Sequence, residues 1–344
     1  MRRATLPATP IHTSAPRSEE VAVRAAGLGK RYGDLWALRD VDLAVPTGSV
    51  LGLLGHNGAG KTTAIRILTT LAVASEGSAW VAGYDVAVDA DAVRRSIGVA
   101  AQQATVDGLL SARRNLVMVG RLHGLPKRVA SRKADALLEQ FNLEDAADRL
   151  AKNLSGGMRR KLDLAASLVA DPTVLFLDEP TTGLDPRGRG DLWDVLRDLV
   201  RDGTTILLTT QYLDEADRLA DDVVVLDHGR TIAHGTPSEL KARIGGDRVE
   251  VVVPTRSELT AVVEATRRFA TQPASVDETE LTVTVPIPAD VRLMDVMRSL
   301  DHNGVDAVDV NRRQATLDDV FLTLTDPDAD RLTGGESERE EMLV

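Results

Sequence analysis

The sequence predicts an α/β fold followed by a smaller α+β unit, and three observations predict it. The apolar run Val50-Leu-Gly-Leu-Leu54 enters a Gly-rich loop and leaves it as a helical pattern at Ala64, Ile65, Ile67 and Leu68, which reads as strand, loop, helix. Strand-like runs at 173–177, 205–209 and 223–227 alternate with helical patterns at 189–201 and 213–219. That alternation builds a parallel sheet covered on both faces. After Gly245-Gly246-Asp247 the pattern changes to strand (249–253), helix (257–269), two strands around 276–285, helix (291–302) and strand (305–310). This β-α-β-β-α-β order predicts a split, ferredoxin-like C-terminal domain.

Taken in order, residues 1–19 begin Met1-Arg-Arg3 but lack the apolar centre of a signal peptide, and are expected to form a flexible tail. From 21 to 33 and from 41 to 54, short apolar alternations broken by Gly, Pro and Asp predict strands and turns. Between 105 and 150, Leu116, Val119, Leu122 and then Ala134, Leu137, Leu138 and Phe141 recur at helical spacing, predicting a helical subdomain inserted at about 105–165 within a main domain of 20–244. The C-terminal domain is expected at 247–325. Its last segment, Leu317 to Leu322, has Leu, Val, Phe and Leu that could form an apolar face able to dock. Residues 326–344 carry seven acidic and two basic side chains, hence −5 of the total charge of −11, and are expected to be an acidic, flexible tail.

Composition narrows the function classes. A chain of 344 residues with 43% hydrophobic content buries a large core. No stretch approaches the roughly 18 uninterrupted apolar residues that cross a bilayer. Cysteine is absent, which excludes a disulfide framework, a thiolate zinc site and a cysteine nucleophile. The net charge of −11 argues against a nucleic-acid partner, which needs a basic face.

The chemistry begins at Gly55-His-Asn-Gly-Ala-Gly-Lys-Thr-Thr63, which satisfies G-x-x-x-x-G-K-[ST]. Gly55, Asn57, Gly58, Ala59 and Gly60 would turn backbone N–H groups around phosphates. Lys61 would hold the β and γ phosphates of ATP, Thr62 would offer a hydroxyl to Mg²⁺, and Thr63 extends the helix N-terminus that faces the anion. Val174-Leu-Phe-Leu-Asp178-Glu179 is an apolar strand ending in two carboxylates at the sheet edge where ligands bind. Asp178 would hold Mg²⁺ through its water shell, and Glu179 would polarise the attacking water as general base. Between these motifs stands Leu154-Ser-Gly-Gly-Met158, where a Ser cap, two glycines and a helix dipole make a second anion site; an ordinary N-cap is the alternative.

In this order the three motifs resemble the ATP-binding-cassette ATPases. That resemblance implies that Ser155, Gly156 and Gly157 contact the γ-phosphate bound to an opposite subunit, so that two copies sandwich ATP. It further implies that Tyr32 stacks on adenine, the alternative being a strand-end core aromatic. The resemblance also implies that Gln102, with Gln103 as the neighbouring register, reaches Mg²⁺ and faces a membrane partner, and that Asp185, in Gly183-Leu-Asp-Pro186, belongs to the loop crossing the dimer interface. The family places a histidine where Gln211 stands. Glutamine hydrogen-bonds but does not become charged near neutral pH, so phosphate sensing survives without a proton role, and hydrolysis is expected to be slow or to lean harder on Glu179. His56, where proline is commoner, and Met158, where glutamine is commoner, are further departures with no assigned role.

Gln211 together with Tyr212-Leu-Asp-Glu-Ala-Asp217, Asp227-His-Gly-Arg230 and Leu317-Asp-Asp-Val-Phe-Leu322 is similar to the ATPase subunits of daunorubicin and doxorubicin type drug exporters. The resemblance implies a separate integral-membrane permease, a second copy of the chain, and a position at the cytoplasmic face of the cell membrane. A soluble cassette serving translation or DNA repair is the competing reading. It is disfavoured by a single cassette, the absence of Cys and heptads, and the acidic balance.

Overall fold

The computed structural model describes residues 21–101, 105–244, 246–288 and 290–325; the two expected tails and Gln102 with Gln103 lie outside the described residues. Strands β1 (Val21–Tyr32) and β2 (Leu35–Pro46) pair antiparallel, and β3 (Val50–Leu54) follows, buried throughout. Helix α1 (Lys61–Leu68) starts where Gly60 ends the glycine loop, and buries Ala64, Ile65, Ile67 and Leu68 as their spacing predicts. Next come β4 (Glu76–Val81), β5 (Tyr84–Asp85), α2 (Ala90–Ser96) and β6 (Ile97–Ala100). Strands β2, β1, β4 and β5 form an antiparallel sheet in that order.

The helical segment holds α3 (Ala112–Leu122), α4 (Lys127–Gln140) and α5 (Gly156–Leu168). Ser111 caps α3 by accepting from Arg114 N at 3.3 Å, satisfying one of the donors a helix start leaves free. Leu116, Ala134, Leu137, Leu138 and Phe141 are buried as predicted, whereas Leu122 is 79% exposed because α3 ends there and the chain turns at Gly124. The rest of the main unit is β7 (Val174–Asp178), α6 (Pro186–Arg201), β8 (Thr205–Thr210), α7 (Leu213–Leu219), β9 (Asp222–Asp227), β10 (Arg230–Gly235) and α8 (Pro237–Arg243).

The central sheet has the order β10-β9-β3-β8-β7-β6. The strands read from the sequence as a parallel sheet, now β7, β8 and β9, run parallel with β3 and β6, and the added edge strand β10 runs antiparallel. The reason is local: His228 and Gly229, both at positive φ, make a tight two-residue hairpin turn between β9 and β10. Phe176, Leu53 and Leu207 are fully buried on the face that packs with α1 and the antiparallel sheet, each such side chain contributing about 1.5–3 kcal/mol. On the other face Leu175, Leu177 and Leu208 pack with the helical segment and α6.

After Gly246 come β11 (Asp247–Val252), α9 (Leu259–Thr266), β12 (Ser275–Asp277), β13 (Thr282–Ile287), α10 (Leu293–His302), β14 (Asp309–Gln314) and α11 (Leu317–Thr325). All strand pairs are antiparallel in the order β12-β13-β11-β14. The last strand lies at 309–314 rather than at 305–310. Gly304, at φ +70°, turns the chain out of α10, and Val305 packs as a loop residue instead of starting a strand. The apolar face of α11 is covered in part: Leu317 and Val320 pack with Leu240 of α8, Ile244 just after it and Ala216 of α7, joining the C-terminal unit to the main one, while Leu322 stays 68% exposed. Among the described residues no helix is long and apolar enough to cross a membrane.

Candidate active site

The strand order sets the site. Because β8 lies between β3 and β7, the C-terminal ends of three parallel strands lie side by side, delivering the glycine loop, Gln211 and the Asp178–Glu179 pair to one edge of the sheet. β6, next to β7, ends at Ala100, two residues before Gln102.

Two glycines of the loop occupy backbone that only glycine accepts. At Gly55 (φ +152°) an added Cβ would stand 2.5 Å from Leu226 O, and at Gly60 (φ +111°) 2.6 Å from Ala37 O. Ala59 is buried and its carbonyl accepts from Gly229 N at 3.0 Å, while Asn57 and Gly58 are exposed. No side chain caps α1, so its leading N–H groups remain available to an anion. Lys61 folds back into the loop, donating to Gly55 O at 2.5 Å and His56 O at 3.1 Å. Burial lowers its pKa from the ordinary lysine value, and the Glu179 and Asp178 carboxylates oppose that shift, which places both acids within electrostatic reach of the ammonium. Thr63 is half-buried behind it.

Thr62 Oγ1 donates to Asp178 Oδ2 at 3.1 Å, joining the start of α1 to the end of β7. Thr209 Oγ1 donates to Asp178 Oδ1 at 2.6 Å from β8 between them. A hydroxyl and a carboxylate are hard oxygen donors, a set that fits Mg²⁺. Glu179 is held in left-handed backbone at φ +50°, which is strained for a non-glycine residue. Its N–H donates to Thr209 O at 3.0 Å, fixing that geometry, and Thr182 Oγ1 donates to its Oε2 at 3.2 Å. Gln211 is exposed directly after β8.

The remaining predicted residues sit elsewhere on the surface. Tyr32 ends β1 with 48% exposure and Lys30 Nζ 5.0 Å from its ring centre, which removes the core-aromatic alternative. Ser155 caps α5, accepting from Met158 N at 3.2 Å, with Gly156 in open space beside it. Asp185 caps α6, accepting from Gly188 N at 2.8 Å. These caps are neighbours, since a Cβ on Gly157 would meet Leu184 Cδ2 at 3.3 Å. Among the described residues no hydrogen bond joins Ser155, Gly156 or Gly157 to the glycine loop.

Two residues that hold the site together were not read from the sequence. Buried Arg160, on α5, donates to Pro180 O (2.9 Å), Asp178 O (3.0 Å), Glu179 O (3.1 Å) and Ala101 O. Its signal is a charged residue on the face of α5 that otherwise buries Leu164 and Leu168. Fully buried Glu215, on α7, accepts from Thr181 Oγ1 and Trp193 Nε1, each at 3.3 Å. Burial raises its pKa, and hydrogen bonds from Thr210, Trp193 and Thr181 work against that. It thus ties α7 to the segment after Glu179 and to α6.

A phosphate-binding loop on a central strand, an acidic pair two strands away and a capped Ser-Gly-Gly helix define a P-loop ATPase of the ATP-binding-cassette kind. Residues 38–182 match the family described as ABC transporter. The chain is 54% identical over 305 residues to a daunorubicin resistance ATP-binding protein of Streptomyces coeruleorubidus, covering 88% of this chain and 95% of that protein. It is 46% identical over 326 residues to a daunorubicin/doxorubicin resistance ATP-binding protein of Streptomyces peucetius, covering 94% and 98%. Among solved structures, cbiO1 from Clostridium perfringens, part of the ABC transporter complex cbiONQ, superposes with a TM-score of 0.60 at 28% identity, over 65% of this chain and 92% of that one. The chain belongs to the ABC transporter family, among the daunorubicin and doxorubicin resistance type ATP-binding proteins. It is an ATPase that uses ATP with Mg²⁺ and couples hydrolysis to transport.

Proposed function

We propose that this chain powers efflux of an anthracycline-like or other hydrophobic compound through a separate integral-membrane permease, working as two copies that close on ATP at the cytoplasmic face of the cell membrane. The observation that carries the reading is the Thr62–Asp178 contact at 3.1 Å, made beside Lys61 and Glu179 while Ser155 caps a different helix. One chain therefore supplies a phosphate site and, separately, an anion-binding cap without a phosphate of its own. A second copy turned head to tail answers both needs, and closure draws its free energy from contacts that exist only in that dimer.

In this reading Gly55, Asn57, Gly58, Ala59 and Gly60 wrap the phosphates with Lys61, Thr62 and Thr63, and Tyr32 stacks on the adenine. Thr62, Asp178 and Gln102 would hold Mg²⁺, which would neutralise phosphate charge when bound. Glu179 takes a proton from the water that attacks the γ-phosphorus, with Thr182 Oγ1 donating to its Oε2. Gln211 orients the same water by hydrogen bonding. Ser155, Gly156, Gly157 and Asp185 meet the nucleotide of the other copy.

The domain limits follow the same reading: an ATPase domain at 20–244 with a helical subdomain at about 105–165, and a ferredoxin-like C-terminal domain at 247–325. The β-α-β-β-α-β succession and the strand order β12-β13-β11-β14 support the last assignment. The test is transport by inverted membrane vesicles holding this chain and its permease. ATP-dependent uptake of daunorubicin, lost in Glu179→Gln, supports the reading; uptake that does not depend on this chain contradicts it.

A further inference from the structure

His56, the second residue of the glycine loop, lies against the turn between β9 and β10. Its Nε2 is 2.9 Å from Asp227 Oδ1, and its Nδ1 is 2.7 Å from Asn57 O. His228 Nε2 approaches the same Asp227 oxygen at 3.9 Å, and one ligand atom from each of the three side chains lies within 4.8 Å of the others. Either neutral tautomer of His56 sets one ring-nitrogen lone pair against an oxygen. The conflict disappears when a metal cation sits at the ring. With Nδ1–H given to the Asn57 carbonyl, Nε2 is left as a ligand facing the carboxylate, an arrangement that backbone carbonyls commonly impose on metal-binding histidines.

We propose that His56, Asp227 and His228 form a binding site for a borderline transition-metal ion such as Zn²⁺, Co²⁺ or Ni²⁺. Two imidazoles and one carboxylate are a donor set for those ions rather than for Mg²⁺. Ligands about 2.1 Å from such an ion stand roughly 3.0–3.4 Å apart. The His56–Asp227 pair, at 2.9 Å, lies about 0.1 Å below that range, and His228, whose side chain is 84% exposed, has room to swing in from 3.9 Å.

The consequence follows from what His56 touches. Its carbonyl accepts from Lys61 Nζ, and Gly229 N already donates to Ala59 O from the adjoining turn. An ion bridging the two segments would therefore fasten the glycine loop to the β9–β10 turn and hinder its adjustment around the phosphates. The inhibitory effect rests on the proposed nucleotide site; metal uptake does not.

The test uses the full chain without nucleotide, titrated with Co²⁺ and read by visible ligand-field absorption and by equilibrium dialysis. The wild type is expected to bind one Co²⁺ per chain at this site, and His228→Asn and His56→Gln each to bind it at least about tenfold more weakly. In a second arm Zn²⁺ is expected to slow wild-type ATP hydrolysis at concentrations that leave His228→Asn unaffected, the metal-free rates of the two being equal. Co²⁺ uptake that is absent in the wild type, or unchanged in both variants, overturns the site. Site-dependent uptake with equal Zn²⁺ sensitivity of the two proteins overturns the fastening of the loop.

Discussion

Arg160 donates to the carbonyl oxygen of Glu179 at 3.1 Å, so the helix capped by Ser155 is bonded directly to the backbone of the acidic pair. The same guanidinium reaches Asp178 O, Pro180 O and Ala101 O, and Asp163 stands 3.5 Å away as its counter-ion. One side chain thereby hydrogen-bonds the helix behind the Ser-Gly-Gly cap to the acidic pair and to the residue that follows β6. Arg160→Ala should destabilise the fold by about 3–5 kcal/mol, because it leaves Asp163 buried without its charge partner and several carbonyls without donors. Arg160→Lys should recover little, since one ammonium cannot reproduce the planar fork. Urea denaturation midpoints check both; a variant within 1 kcal/mol of wild type would contradict that bonding.

Glu179→Gln should lower kcat for ATP hydrolysis by roughly 10²–10⁴-fold, the range typical for loss of a general base, while ATP affinity stays within a few-fold. The amide keeps the shape and the Thr182 contact but cannot accept the proton from water. Steady-state hydrolysis and nucleotide binding by fluorescence separate the two effects. An equal loss of binding would show that the residue holds the nucleotide instead.

Gln211→His should introduce a rate dependence on pH between about 5 and 8 that the native protein lacks at this position, since only the imidazole changes charge there. The position is exposed at the end of β8, so the substitution meets no packing barrier. A hydrolysis profile of the variant with the same shape as wild type would remove Gln211 from the neighbourhood of the reacting water.

Glu215 gives a stability prediction with a definite sign. Burial raises its pKa above the ordinary 4.5. Below that ordinary value the group is protonated in both folded and unfolded chains, and its contribution is intact. As pH rises towards the folded-state pKa the unfolded chain ionises more readily, and that contribution is lost. Glu215→Gln has no proton to release, so the melting temperature of the variant minus that of wild type should become more positive from pH 4.5 upward. A difference independent of pH would contradict a raised pKa for Glu215.

Much of the site was legible because its parts are local in sequence. The glycine loop, the Asp178–Glu179 strand end and the Ser155 cap each declare themselves within a few residues, and the alternation of strands and helices puts the first two on one edge. What was not legible is set by distance along the chain. Arg160 reads as one more cation in Met158-Arg-Arg-Lys161 until α5 is laid against β7, and Thr209 reads as a strand threonine until β8 is inserted between β3 and β7. The same holds for the fold: the sequence marks 317–322 as a face able to dock but not its partners on α7 and α8, which lie about a hundred residues earlier, and β14 starts later than the apolar pattern because Gly304 and Val305 close a helix.

The central claim is that each nucleotide is completed by a second copy of the chain. Light scattering of purified Glu179→Gln protein with and without Mg-ATP tests it most directly, with Ser155→Arg added to the same background as the control. The account predicts a monomer without ATP, a dimer with it, and a monomer in both conditions once Arg replaces Ser155 at the cap of α5. Absence of an ATP-dependent dimer, or a dimer that forms equally well with Arg at that cap, would contradict it.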